Sequence, residues 1–151
     1  MSVAIVTGGA QGLGYSIAER LALIGHKVVL VDVNGEQLKA SQAKMSSNPD
    51  LKGKDLVSYV VTDVTKEADI ANLVEKVIAA HGRIDILVQA AGIVGKTGIK
   101  THEVDAGNFD LVIAINLKGI FLMCKAVLPH MVKQKYGRII NIASIAGCLY
   151  K

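Results

Sequence analysis

Tryptophan is missing from this sequence, proline occurs only at Pro49 and Pro129, and cysteine only at Cys124 and Cys148. Two cysteines without CxxC spacing give no disulfide framework or zinc-ribbon pattern, and His26, His81, His102 and His130 are too scattered to form a metal-ligand set. The pattern fits a reduced, cytoplasmic protein. Charge of one sign is not concentrated either. The formal net charge of +4 comes from 17 basic and 13 acidic residues spread along the whole chain, so no basic cluster offers a surface to nucleic acid or an anionic membrane. The N-terminus, MSVAIVTGG, has no basic region of the kind that opens a secretory signal. Internal repeats, low-complexity tracts and long linkers are also missing, and the loose polar stretch is 46–54. The most membrane-like stretch, Leu111 to Leu128, carries Asn116, Lys118 and Lys125. A lysine at mid-span costs about 2.5 to 3.5 kcal/mol in a bilayer, so the stretch reads as a buried helix of a soluble fold.

What is present is apolar and rich in glycine: 51% hydrophobic residues with 15 glycines, which suits a globular chain with many tight turns and neither a disordered nor a collagenous one. The length, 151 residues, suits a single domain with a real core, residues 1–151. Short apolar runs recur at 3–6 (VAIV), 28–33 (VVLVDV), 56–64 (LVSYVVTDV), 84–92 (IDILVQAAG) and 137–144 (GRIINIAS). Each is continuous, the mark of strands covered on both faces. Between them lie helical patterns: Leu13, Ile17, Leu21 and Ile24 stopping at Gly25; a weaker helix from Glu36 to Met45; and Ile70, Leu73, Val74 and Val77 ending at Gly82. A fourth runs from about Asn108 to Val132, with an interruption expected near Pro129. Strand and helix alternating throughout predict an α/β fold, a doubly wound parallel sheet of Rossmann type with about five strands.

The chemistry begins where the first strand ends, at Thr7-Gly8-Gly9-Ala10-Gln11-Gly12-Leu13-Gly14. A glycine-rich turn between strand and helix lets backbone approach a pyrophosphate, and the free N–H groups at the helix start hold the anion. The spacing is TGxxxGxG, a variant of GxGxxG; the plain alternative is a turn that only lets helix and strand pack. Asp32 ends the second strand. A carboxylate there accepts hydrogen bonds from both ribose hydroxyls and repels a 2'-phosphate, which argues for NAD over NADP; neither Gly9, Ala10 nor Val33 offers a cation to such a phosphate. The plain alternative for Asp32 is a turn or capping residue.

A second loop, Ala90-Ala91-Gly92-Ile93-Val94-Gly95-Lys96-Thr97, nearly spells the triphosphate-binding GxxxxGK[ST]. Ala90 stands where the first glycine belongs, and no helix start follows Thr97, so this loop is set aside as a phosphate site.

Taken in order, TGGAQGLG, Asp32, Asp63-Val64 after the third strand, QAAG at 89–92 after the fourth, Asn116 inside INLKG and Ser144 in IINIAS make the chain resemble the N-terminal part of a short-chain dehydrogenase/reductase over about residues 3–147. The resemblance implies hydride transfer between NAD or NADP and a small-molecule alcohol or carbonyl. It puts Gly8, Gln11, Gly12, Leu13, Gly14, Asp32 and Val33 in the cofactor site, Asp63 and Val64 beside the adenine, and Ala90, Ala91 and Gly92 against the adenine ribose. One departure is Gln89-Ala90-Ala91-Gly92, where the family usually has Asn-Asn-Ala-Gly.

Asn116 is a poor helix-interior residue, because its amide competes for backbone hydrogen bonds. The resemblance makes it a helix-distorting residue that holds a proton-relay water; on the residues alone it is a solvated or locally bonded Asn. Ser144, read as the end of the fifth strand, is by resemblance a catalytic hydroxyl that polarises the substrate carbonyl, and in isolation a strand-end serine. The resemblance further implies a Tyr-x-x-x-Lys helix past Lys151, so the chain reads as truncated before its main acid/base. Tyr15, Tyr59 and Tyr136 are followed four positions on by Glu19, Asp63 and Ile140. Adjacent Tyr150 and Lys151 point about 100° apart on a helix and do not substitute.

The helix at 108–132 is apolar nearly all round, which predicts cover on a second side, and the fifth strand is expected to form an apolar edge. A homo-oligomer, or association through the 108–132 helix, is expected. Three functional readings result: an NAD-dependent oxidoreductase, very slow as an isolated chain; a non-catalytic dinucleotide-binding or partner-pairing module; and a methyltransferase or phosphate hydrolase, which leaves Asp63, Asn116 and Ser144 together without a purpose.

Overall fold

The computed structural model describes residues 1–144; Cys148, Tyr150 and Lys151 lie outside them. Five strands, β1 (Val3–Thr7), β2 (Lys27–Asp32), β3 (Val57–Val61), β4 (Ile86–Gln89) and β5 (Arg138–Asn141), form one sheet in the order β3-β2-β1-β4-β5. Every neighbouring pair is parallel, with Ile5 opposite Val29 and Leu87, and Gln89 opposite Asn141. The helices are α1 (Gly12–Leu23), α2 (Gly35–Ser47), α3 (Glu67–His81), α4 (Ala106–Ile113) and α5 (Ile120–Gln134), the last two joined by a π-helical segment, Ala114–Gly119.

The continuous apolar runs have a direct cause. Successive strand residues point to opposite faces, and both faces are covered. Ala4, Val6, Val28, Leu30 and Val88 enter one core with Ala18, Ala22 and Leu38 of α1 and α2. Val3, Ile5, Val29, Val31 and Leu87 enter the other with Ile70, Leu73, Val74 and Val77 of α3 and Leu122, Met123, Val127 and Met131 of α5. The chain is a doubly wound, Rossmann-like α/β sheet, as the alternation predicts.

Several boundaries differ from the sequence expectation. The run at 56–64 gives a strand only to Val61: Thr62 N–H makes one further bond to the Asp32 carbonyl at 2.9 Å, and Asp63 then starts a turn, its carbonyl accepting from Lys66 N–H at 3.0 Å. The last run stops pairing as a strand at Asn141, so Ser144 lies beyond the end of β5 and is exposed. In α1 the buried stripe is Gly14, Ala18 and Ala22, while Leu13 and Ile24 are exposed. Small side chains let α1 lie close on the sheet, and the larger ones are turned outward. Gly82 ends α3 in the left-handed conformation, its N–H donating to the Ile78 carbonyl at 2.8 Å.

The expected break at Pro129 is also corrected: α5 runs through it to Gln134. Proline removes only the bond to the carbonyl four residues earlier, and Pro129 and Lys125 are both exposed, so water can satisfy that carbonyl. The irregularity falls at 114–119 instead. The stretch Ala106–Gln134 is long and apolar enough to cross a membrane. The expectation of a buried helix is corrected: 22% of its most apolar window is buried, because only one side meets the sheet; Leu122, Met123, Val127 and Met131 enter the core, while Phe109, Leu117 and Phe121 are about 60% exposed. Among the described residues β5 pairs with β4 alone and forms the sheet edge, with Ile140 exposed.

Candidate functional site

The strand order reverses at β1, which has β2 on one side and β4 on the other. Loops leaving the carboxyl ends of neighbouring strands diverge at such a point and open a crevice. Here the crevice is a cleft of about 420 Å³. Every cofactor-site residue named from the sequence lines it: Gly8, Gln11, Gly12, Leu13 and Gly14 from the β1–α1 loop, Asp32 and Val33 after β2, Asp63 and Val64 after β3, and Ala90, Ala91 and Gly92 after β4. Val31, Thr62, Ile93 and Ile115, which the motifs did not single out, line it as well.

The floor is made by close backbone approach. Gly8 has φ +66°, and a Cβ there would stand 2.7 Å from the Ala90 carbonyl oxygen; a Cβ at Gly14 would strike the Gly8 carbonyl. Buried Thr7 ties the two loops together, its Oγ1 accepting from Ala91 N–H at 3.2 Å. From α2, buried Ser41 donates to the Ala10 carbonyl at 2.6 Å. No sequence signal marks Ser41, whereas Thr7 stands directly before the glycine run. Gln11, the N-cap of α1, makes no side-chain cap hydrogen bond, and the first turn of α1 carries no acidic residue. Its N–H groups and the positive end of the helix suit an anion.

Asp32 closes the β2 side. Its carboxylate accepts from Ala10 N–H at 3.4 Å and Asn34 N–H at 3.2 Å, which joins the glycine loop to the start of α2. Asp63 is turned toward its own loop: Oδ1 accepts from Thr65 Oγ1 at 2.7 Å and Thr65 N–H at 2.9 Å, and Lys66 Nζ lies 3.5 Å from Oδ2. The Thr65 hydroxyl first and then the Thr65 amide, with a lesser part from the Lys66 ammonium, hold its carboxyl below the usual carboxylate range against the opposing effect of burial.

On the β4 side, Asn116 sits in the π segment and bonds both backbone groups of Ile93, accepting from its N–H at 2.9 Å and donating to its carbonyl at 2.8 Å. Gly119 in the same segment faces Val64; a Cβ there would lie 3.0 Å from Val64 Cγ2. Among the described residues neither Asn116 nor Ser144 lines the cleft. Asn116 borders it through Gly92 and Ile93, and Ser144 follows β5 at the same carboxyl edge of the sheet.

Gln89, at the departure from the family pattern, is buried and faces away from the cleft; its Nε2 donates to Asn141 Oδ1 at 3.0 Å and Cys124 Sγ at 3.2 Å. The near-miss triphosphate loop is committed elsewhere: Lys96 Nζ lies 2.7 Å from Asp105 Oδ2, and Lys96 N–H donates to Asn108 Oδ1 at 2.9 Å.

The family model for short chain dehydrogenase matches residues 2–150. The chain is similar to the 2-dehydro-3-deoxy-L-rhamnonate dehydrogenase (NAD(+)) of Sphingomonas sp. (strain SKA58), with 42% identity over 144 residues that make up 95% of this chain and 54% of that protein. Among solved structures it is similar to levodione reductase, with a TM-score of 0.92 and 39% identity over 99% of this chain and 57% of that one. A metagenomic short-chain oxidoreductase in complex with NADP superposes with a TM-score of 0.89 and 35% identity, over 99% of this chain and 65% of that one. The chain spans about half the length of the curated relatives it matches. With this family match, and the residues of the glycine loop and of the β2, β3 and β4 strand ends gathered in one cleft, the chain belongs to the short-chain dehydrogenase family.

Proposed function

We propose that residues 1–151 act as a single dinucleotide-binding domain of an oxidoreductase that uses NAD to move hydride between a small-molecule alcohol and the corresponding carbonyl. The observation that carries this reading is the convergence of four strand-end segments on one cleft, with the uncapped start of α1 on its floor and Asp32 at its β2 side. The residues fit the group. Gly8 and Gly14 leave room that a Cβ would fill, the α1 N–H groups take the pyrophosphate, and Asp32 takes the ribose hydroxyls. Asp63 and Val64 border the adenine, and Ala90, Ala91 and Gly92 the adenine ribose. Bound NAD supplies the hydride acceptor.

The preference for NAD rests on Asp32 and on exposed Val33, which gives a 2'-phosphate no cation. The NAD(+) in the name of the Sphingomonas dehydrogenase agrees with it, and the NADP complex of the metagenomic relative makes it a point to test. Asn116 holds the β4 wall and a relay water, and Ser144 polarises the substrate carbonyl. None of the tyrosines Tyr15, Tyr59 and Tyr136 has a lysine four positions on. Without that pair the 151-residue chain by itself turns over slowly, by about the 10² to 10⁴ that general acid/base catalysis contributes. The exposed outer face of the segment from α4 to α5 favours a second reading, a non-catalytic dinucleotide-binding or partner-pairing module. Both readings are of a cytoplasmic protein that engages neither nucleic acid nor membrane. Calorimetric titration of the 151-residue chain with NADH tests the common core of both: saturable binding is expected, and its absence overturns them.

A further inference from the structure

The segment after β4 is clasped to the helix across from it by contacts that the motifs do not explain. At one end Asn116 bonds both backbone groups of Ile93. At the other, Asn108 Oδ1 accepts from Lys96 N–H at 2.9 Å, while Asp105, the N-cap of α4, accepts from Asn108 N–H at 2.8 Å and from Lys96 Nζ at 2.7 Å. Gly95, between these ends, has φ +73°; a Cβ there would stand 2.7 Å from Val112 Cγ2 and 3.0 Å from Asn108 Oδ1. The segment reaches the helix because position 95 has no side chain. Ile93 lines the cleft on the β4 side, across β1 from Asp32.

We propose that Asn108 is a positioning residue: by anchoring Lys96 N–H it fixes, with Gly95 and Asn116, the wall at Ile93 that takes the nicotinamide half of the dinucleotide. The adenine half rests on Asp32 and Asp63, and Ala90 to Gly92 at its ribose are tied to Thr7 through Ala91 N–H and not to Asn108. This rests on the dinucleotide reading above and deepens it. A dinucleotide lying across a switch point spans both sides of the central strand, and the β4 segment has two separate anchors: Thr7 at Ala91, beside the adenine ribose, and Asn108 at Lys96, beyond Ile93. The Lys96–Asp105 pair is exposed on both partners and contributes little. The anchoring comes from the neutral Asn108 bond and the Gly95 contact.

The test titrates the 151-residue chain and its Asn108→Ala, Asn108→Asp and Gly95→Ala variants with NADH and with ADP, which carries only the adenine half. Asn108→Ala is expected to weaken NADH about three- to tenfold, the range of one lost hydrogen bond, with ADP affinity unchanged. Asn108→Asp, which keeps an oxygen for Lys96 N–H, restores NADH affinity. Gly95→Ala reproduces the split from the loop side. Equal weakening of both probes, or unchanged NADH affinity in Asn108→Ala and Gly95→Ala, overturns the inference and leaves the dinucleotide reading standing. A parent chain that binds neither probe overturns both.

Discussion

Asn116 pairs with Ile93 as one strand residue pairs with another, its side-chain oxygen accepting from Ile93 N–H at 2.9 Å and its side-chain nitrogen donating to the Ile93 carbonyl at 2.8 Å. An amide in mid-helix thereby satisfies two backbone groups of a loop that has no ladder partner. Asn116→Ala removes both bonds at an exposed site, and a loss of about 1 kcal/mol in stability is expected. Urea denaturation monitored by circular dichroism measures it; an unchanged midpoint contradicts the pairing.

Asp85 is fully buried at the opposite edge of the sheet, where it accepts from Val3 N–H at 2.8 Å and from Arg83 at 2.8 and 2.6 Å. Burial alone pushes its carboxyl up, but the Arg83 hydrogen bonds, the Val3 amide and the nearby positive charges outweigh it and hold the carboxyl below its usual value. A group depressed in the folded state stabilises the fold above its unfolded value, and that contribution is lost as pH falls below about 4 toward the folded value. Asp85→Ala also leaves Val3 N–H buried without an acceptor, a loss of about 1 to 3 kcal/mol at neutral pH. Denaturation midpoints measured from pH 7 to pH 3 should show the gap between the parent chain and the variant shrinking below pH 4. A gap that widens on acidification contradicts the sign.

The outer face from α4 through the π-helical segment to α5 presents Phe109, Leu117, Phe121 and Val132 to solvent, and among the described residues β5 pairs with β4 alone. Exposed apolar surface of this kind favours self-association. Sedimentation at micromolar concentration is expected to show species larger than a monomer, reduced in Phe121→Glu with Leu117→Glu. A monomer in the parent chain contradicts this.

The fold class was legible because burial on both faces writes an unbroken apolar run, and a glycine at a helix end writes its stop: Val28 to Val31 and Gly82 are examples. The residues that line the cleft were legible because they cluster at strand ends in short local motifs. What escaped depends on partners distant in the chain. Asp85 is coupled to Val3 across 82 positions, and nothing near Asn116 announces Ile93, 23 positions away. Pro129 drew attention because proline is a local signal, yet its missing bond falls on a solvated face, and the helix is distorted instead where Asn116 and Gly119 meet the β4 loop and Val64. In α1 the expected apolar stripe gave way to Gly14, Ala18 and Ala22, because closeness to the sheet, set by small side chains, mattered more than hydrophobicity.

The most direct test of an NAD site governed by Asp32 is calorimetric titration of the parent chain and Asp32→Ala with NADH and NADPH. Saturable NADH binding, weaker NADPH binding, and a loss of NADH affinity of about tenfold or more in Asp32→Ala are the predicted results, the size expected for hydrogen bonds to a charged group. NADPH binding as tight as NADH in the parent chain, or NADH affinity unchanged in Asp32→Ala, would contradict it.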